Sequence, residues 1–207
     1  MTNGETACRT FMMIDKIRPG DVEQVAILHQ TYMNRGFLAT LGVGFLEKLY
    51  AGMVTSDNAF CIVARDGARD VGFVSGTKHV SRFYKEFIVN NFFSVVIILL
   101  PKIFNAKTVK KVVETLVYPM KKEASLPDAE LLSIVVEESY RVKGVSKELF
   151  NLLVHEFASR HVNRFKVVVG ADLAAACRFY EKMGGVLHSE IEVHQGIKSR
   201  VYVWGME

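Results

Sequence analysis

Near the middle of the chain, Arg141-Val142-Lys143-Gly144-Val145-Ser146 has the residue types and spacing to hold an anion. Gly144 accepts a backbone conformation that a Cβ would hinder, and it lets another molecule approach the main chain closely. The amides after it open a helix and have no intrahelical acceptors, so they are free to bind a phosphate. Arg141 and Lys143 either add charge beside that anion or form a solvated turn. With Gly144 between them and the helix, the six residues read as a pyrophosphate cradle.

A cradle of this kind needs a strand to feed it and a helix to close it. Residues 131–136, Leu-Leu-Ser-Ile-Val-Val, are apolar on both faces and suit a strand in the middle of a sheet. Beyond the turn, Leu149, Leu152, Leu153 and Phe157 make one stripe of an amphipathic helix. Upstream, the residues before Ile14 read as a loose leader and 14–18 as a first strand. Asp21 reads as an N-cap with Gln24 at the third helical position, and a second helix covers 45–53. Residues 60–65 and 71–79 form a predicted hairpin across Asp66-Gly67. An insertion follows at 80–127, with helical patterns at 83–93 and 108–118. After the cradle come a strand at 165–170, a helix opened by Asp172 and stopped at Gly184-Gly185, and strands at 186–194 and 199–204. The expected architecture is one α/β (α+β) domain over residues 1–207, with a central mixed, mostly antiparallel sheet flanked by helices.

The turn resembles the Gln/Arg-x-x-Gly-x-Gly/Ala signature of the GNAT N-acetyltransferase superfamily, with Arg141 and Gly144 matching and Ser146 standing where Gly or Ala is preferred. Ala176-Cys177-Arg178-Phe179-Tyr180-Glu181-Lys182-Met183-Gly184 is similar to the second signature, Asn-x-x-Ala-x-x-(apolar)-Tyr-Glu-Lys-x-Gly-Phe. Leu173 replaces its Asn and Gly185 its Phe. The resemblance covers nearly the whole chain except the insertion. It implies the GNAT acyl-CoA N-acyltransferase fold, acetyl-CoA as co-substrate without a metal, and N-acetylation of an amine. It also implies that Arg141, Val142, Lys143, Gly144, Val145 and Ser146 cradle the pyrophosphate. The main chain of Ile134, Val135 and Val136 would pair with pantetheine, one amide polarising the acetyl carbonyl.

Acetyl transfer by direct attack needs a neutral amine, although an alkylammonium of pKa ~10.4 is mostly protonated at pH 7. The departing thiolate in turn needs a proton. By the resemblance, Tyr180 is the general acid beside the sulfur; without it, a core tyrosine with a satisfied hydroxyl is the simpler reading. Glu130 falls, counting back from Arg141, where histone-type members carry a catalytic Glu; the bland reading is a solvated carboxylate at a strand end. Glu137 and Glu138 read as solvated. His194 and Glu192 alternate on a closing strand toward a cleft, while His155 and His161 lack metal-ligand spacing. Cys177 reads as a packed thiol, and Gly42-Val43-Gly44 lacks the third glycine of a dinucleotide fingerprint.

Half of the 207 residues are hydrophobic, enough for one substantial core. The net charge of +4 suits an anionic ligand but is too weak by itself to argue for nucleic acid. Three scattered cysteines make no disulfide framework. The apolar run 92–100 is too short to span a bilayer, so a cytoplasmic protein is expected. The lysine-rich insertion reads as a lid over the core. A non-catalytic acyl-CoA sensor and a basic membrane or nucleic-acid binding protein are the rival functions. The acceptor, a small molecule or a protein amine, stays open, as does a homodimer.

Overall fold

The computed structural model describes residues 12–34, 36–91, 126–141, 143–194 and 197–205. In chain order the elements are β1 (Met12–Lys16), α1 (Val22–Tyr32), a one-turn α2 (Phe37–Thr40), α3 (Val43–Val54), β2 (Ala59–Asp66), β3 (Arg69–Thr77) and α4 (Val80–Asn90). They continue with β4 (Glu130–Val136), a one-turn α5 (Glu138–Arg141), α6 (Val145–Ser159), β5 (Arg164–Gly170), α7 (Ala174–Lys182), β6 (Val186–His194) and β7 (Ile197–Gly205). The seven strands form one mixed sheet in the order β1-β2-β3-β4-β5-β7-β6, in which β4 and β5 are the parallel pair. Helices pack on both faces, as the α/β pattern predicts.

Two cores result, one on each face. Phe45, Leu46, Leu49 and Met53 of α3 pack with Val25 and Leu28 of α1 and with Phe83, Tyr84 and Phe87 of α4. In that core His29 Nδ1 and the Tyr50 hydroxyl lie 2.6 Å apart. On the other face, Leu149, Phe150, Leu153 and Phe157 of α6 meet Phe165 and Val167 of β5 and Trp204 of β7. Phe165 stacks flat against Trp204 at 5.1 Å between ring centroids.

Several boundaries differ from expectation for local reasons. Asp21 makes no side-chain cap on α1; its carboxylate instead accepts from the Arg18 amide and the buried Arg65 guanidinium. Gln24 bonds the Asp70 amide and so ties α1 to β3 rather than closing a capping box. The N-cap of α7 is Leu173, not Asp172 as expected, and the helix begins at Ala174. Helix α4 starts three residues before the predicted 83–93 pattern and ends at Asn90. The predicted helix at 108–118 and the apolar run 92–100 lie outside the described residues. The hairpin and the stop of α7 follow the sequence closely. Gly184 adopts φ 87°, and the Gly185 amide bonds back to Tyr180 O at 3.0 Å. The family's aromatic has no room at Gly185, because a Cβ there would come within 2.5 Å of the Trp204 ring.

Candidate active site

Strands β4 and β5 pair only at Glu130–Lys166 and Leu131–Val167. Beyond Leu131 they part, and the gap between them is the centre of the site. The register of β4 against β3 decides which backbone groups face it. Glu137 N donates to Val71 O at 2.9 Å, and Val71–Glu137 continues the register Gly72–Val136, Phe73–Val135, Val74–Ile134 and Ser75–Ser133. In an antiparallel ladder hydrogen-bonded pairs alternate with non-bonded ones. Val135 and Ser133 therefore bond to β3, whereas the N–H and C=O of Ile134 and Val136 point into the gap. A register shift between Ser75 and Gly76 leaves Leu132 without a partner on β3. Such a bulge re-aims the strand at the point where it leaves β5.

At the open end of β4 the chain turns through α5 into α6. Gly144 has φ +81°, the left-handed region, and nothing lies within 4 Å of where its Cβ would be. Lys147 and Glu148 amides bond to Gly144 O, but those of Gly144, Val145 and Ser146 have no acceptor among the described residues. Val145 itself is core, and Lys143 lies over the Tyr140 ring. The side chain of Arg141 folds back: its Nε donates to Val136 O at 3.0 Å, and its guanidinium rests over Tyr32. Val142 lies outside the described residues.

The turn is braced from the β2–β3 hairpin. Tyr140 donates to Asp66 at 2.5 Å, and Glu137 pairs with Arg69 at 2.6 Å. Glu137 is therefore buried, not solvated as its sequence context suggests; Glu138 is exposed. Nothing local in the sequence signals this bracing, since its partners lie about seventy residues apart.

Tyr180 is 5 % exposed, with its ring against Phe179, Tyr202 and Trp204. It shares a core cluster with Val136 of β4, Val169 of β5 and Val145 of α6, so one cluster joins both signatures to the gap. Burial pushes its hydroxyl well above the ordinary tyrosine value, which keeps it protonated. Glu130 is equally buried, so it is not the solvated strand-end carboxylate of the bland reading. Burial raises its carboxyl, and the Lys166 ammonium at 3.5 Å opposes that rise. Leu131 packs in the cluster that holds Tyr180, so by strand alternation Glu130 lies on the opposite, α4 face, where burial and then the Glu130 charge raise the Tyr84 hydroxyl. Cys177 is buried with Sγ 3.8 Å from Gly170 O, a packed thiol. Glu192 is exposed, and the side chain of His194 lies outside the described residues. No group of three or more metal-ligating side chains occurs among the described residues.

The model of the acetyltransferase (GNAT) family matches residues 32–185, which contain the gap, the cradle and both signatures. The chain belongs to the GNAT acetyltransferase family. As such it is an acetyl-CoA-dependent N-acetyltransferase of the GNAT type. No curated protein matches it. Among solved structures, a GNAT acetyltransferase from Streptococcus pneumoniae is 15% identical with a TM-score of 0.60, covering 95% of this chain and 100% of that one. The ribosomal-protein-S18-alanine N-acetyltransferase of Escherichia coli is 13% identical, with a TM-score of 0.59 and 95% of each chain covered. Arabidopsis thaliana NAA60 in complex with acetyl-CoA is 17% identical, with a TM-score of 0.59, 94% of this chain and 98% of that one. At these identities the likeness is one of fold. No helix among the described residues of this GNAT chain is long and apolar enough to cross a membrane.

Proposed function

We propose that this acetyltransferase moves the acetyl group of acetyl-CoA directly to a primary amine, with Glu130 as the base and Tyr180 as the acid. The observation that carries the reading is the gap between β4 and β5, into which Ile134 and Val136 direct main-chain groups, the Val136 carbonyl being held by Arg141 Nε. An extended amide chain such as pantetheine would pair with those groups. The amide of Ile134 is suited to polarise the thioester carbonyl, since a fixed donor in a dry site costs no reorganisation as charge develops. The open amides of Gly144 to Ser146 suit the pyrophosphate, and Arg141 is close enough to add charge once it leaves Val136 O.

Direct attack needs a proton removed from the amine on one side and delivered to the thiolate on the other. Burial on opposite faces supports that division between a raised carboxyl and a protonated phenol. The acceptor's class is tested by turnover of acetyl-CoA across amino sugars, polyamines, amino acids and peptide N-termini. Glu130→Gln should retain acetyl-CoA affinity, lose rate at neutral pH and recover partly at high pH, where the amine deprotonates unaided. Wild-type rates for this variant across the pH range would remove Glu130 from the mechanism. Acetyl-CoA binding with no turnover on any amine class would remove direct amine transfer.

A further inference from the structure

We propose that Lys166 is a positioning residue that holds the Glu130 carboxyl ionised and fixed beside the point where β4 and β5 part. The inference rests on the reading of Glu130 as the base. Glu130 and Lys166 are register partners in the first pair of the short parallel ladder, one residue before the strands part. Lys166 Nζ lies 3.5 Å from Glu130 Oε2, and the two side chains are 12 and 11 % exposed. Lys166 Nζ does not spend its best hydrogen bond on the carboxylate. It donates to Pro127 O at 2.5 Å, which fixes the ammonium beside Glu130. Glu130 Oε2 is left buried with no hydrogen-bond partner. A carboxylate oxygen 3.5 Å from a cation already held by Pro127 O still has a lone pair for an incoming proton.

The remaining neighbours explain why a cation is needed. From α4 the group near Glu130 is the Tyr84 phenol, and from β3 its register partner is neutral Thr77. Neither offsets the cost of burying a carboxylate, and a buried acid with no cation close by takes up a proton. A lysine that served packing alone would be an expensive choice on a buried strand, where an apolar residue of similar volume is often at least as stable.

The test combines two readouts. In the first, the pH dependence of kcat/KM is measured for wild type, Lys166→Gln, Lys166→Arg and Glu130→Gln. In the second, carbon NMR follows titration of the Glu130 carboxyl without any substrate. Lys166→Gln keeps a donor for Pro127 O but removes the charge. It should move the acid limb and the carboxyl midpoint upward by about 1–3 pH units, the usual influence of an adjacent cation. Lys166→Arg should return both toward wild type. Should Lys166→Gln fail to fold, Lys166→Met removes the same charge and should raise the carboxyl midpoint alike. A carboxyl midpoint unmoved by loss of the lysine charge overturns the proposal. An acid limb that persists unchanged in Glu130→Gln instead removes the base assignment, and the NMR midpoints still report on the pair.

Discussion

Tyr180 has an unusual combination for a residue proposed to act chemically, because its ring is core and only its oxygen is spare. Tyr180→Phe keeps the contacts with Phe179, Tyr202 and Trp204. It should leave melting temperature and acetyl-CoA affinity near wild type and lower the rate by ~10²–10⁴, the range for one proton-transfer group. A variant that loses stability by ~1–3 kcal/mol and keeps its rate would mark a structural hydroxyl. Asp70 offers a separate residue-scale test, remote from the chemistry. Burial and the charge of Asp21 push its carboxyl up to about 6 despite Arg65, whose Nε is 3.6 Å away. Its folded value exceeds the unfolded ~3.9, so between those two values the folded state holds the extra proton and stability falls as pH rises. Wild type should therefore gain on Asp70→Asn, in melting temperature, as pH drops from 8 to ~4, with the change setting in near 6. A pH-independent difference would show that Asp70 is ionised throughout. Both residues sit in the sequence as ordinary letters; only the distant groups around them set their behaviour.

At the scale of elements, the turn between β4 and α6 was the most legible part of the sequence. Its signal is local: a β-branched run, a glycine that needs φ +81°, then helical periodicity, all within thirty residues. The one-turn helices α2 and α5 left no such trace, since four residues cannot show a period of 3.6. The bulge at Leu132 and the parting of β4 from β5 depend on how strands register, which no single strand encodes. Gly144 gives the element-scale prediction. Gly144→Ala should cost ~1–2 kcal/mol of stability from the left-handed backbone alone, and space exists for its methyl. Gly144→Glu should suffer the same strain and also abolish acetyl-CoA binding, by bulk and like charge. Calorimetry on both variants separates the two effects. Equal affinity in a folded Gly144→Glu protein would sink the cradle assignment.

For the whole molecule, the order of elements and the mixed, mostly antiparallel sheet followed from alternation, helical stripes and turn residues, with boundaries off by a few positions; the single core expected is in fact two, one on each face. Contacts between distant segments did not, such as the Asp66 and Arg69 braces under the cradle. Acetyl-CoA should stabilise the folded chain as a whole. At a hundred times the dissociation constant the gain is about 2.7 kcal/mol, or a rise in melting temperature of roughly 5–10 °C for a chain of this size. No rise at saturating acetyl-CoA would contradict the site. The gap between β4 and β5 also gives the sheet a rim in its interior. Strand rims are where amides trade hydrogens freely with solvent and where stray extended chains attach. The amides of Ile134 and Val136 should thus exchange with deuterated water as readily as those of an outer strand, although slow-exchanging strands flank them. Bound acetyl-CoA, whose pantetheine arm carries two amides of its own, should act as the absent eighth strand and silence that exchange, leaving β2 unchanged.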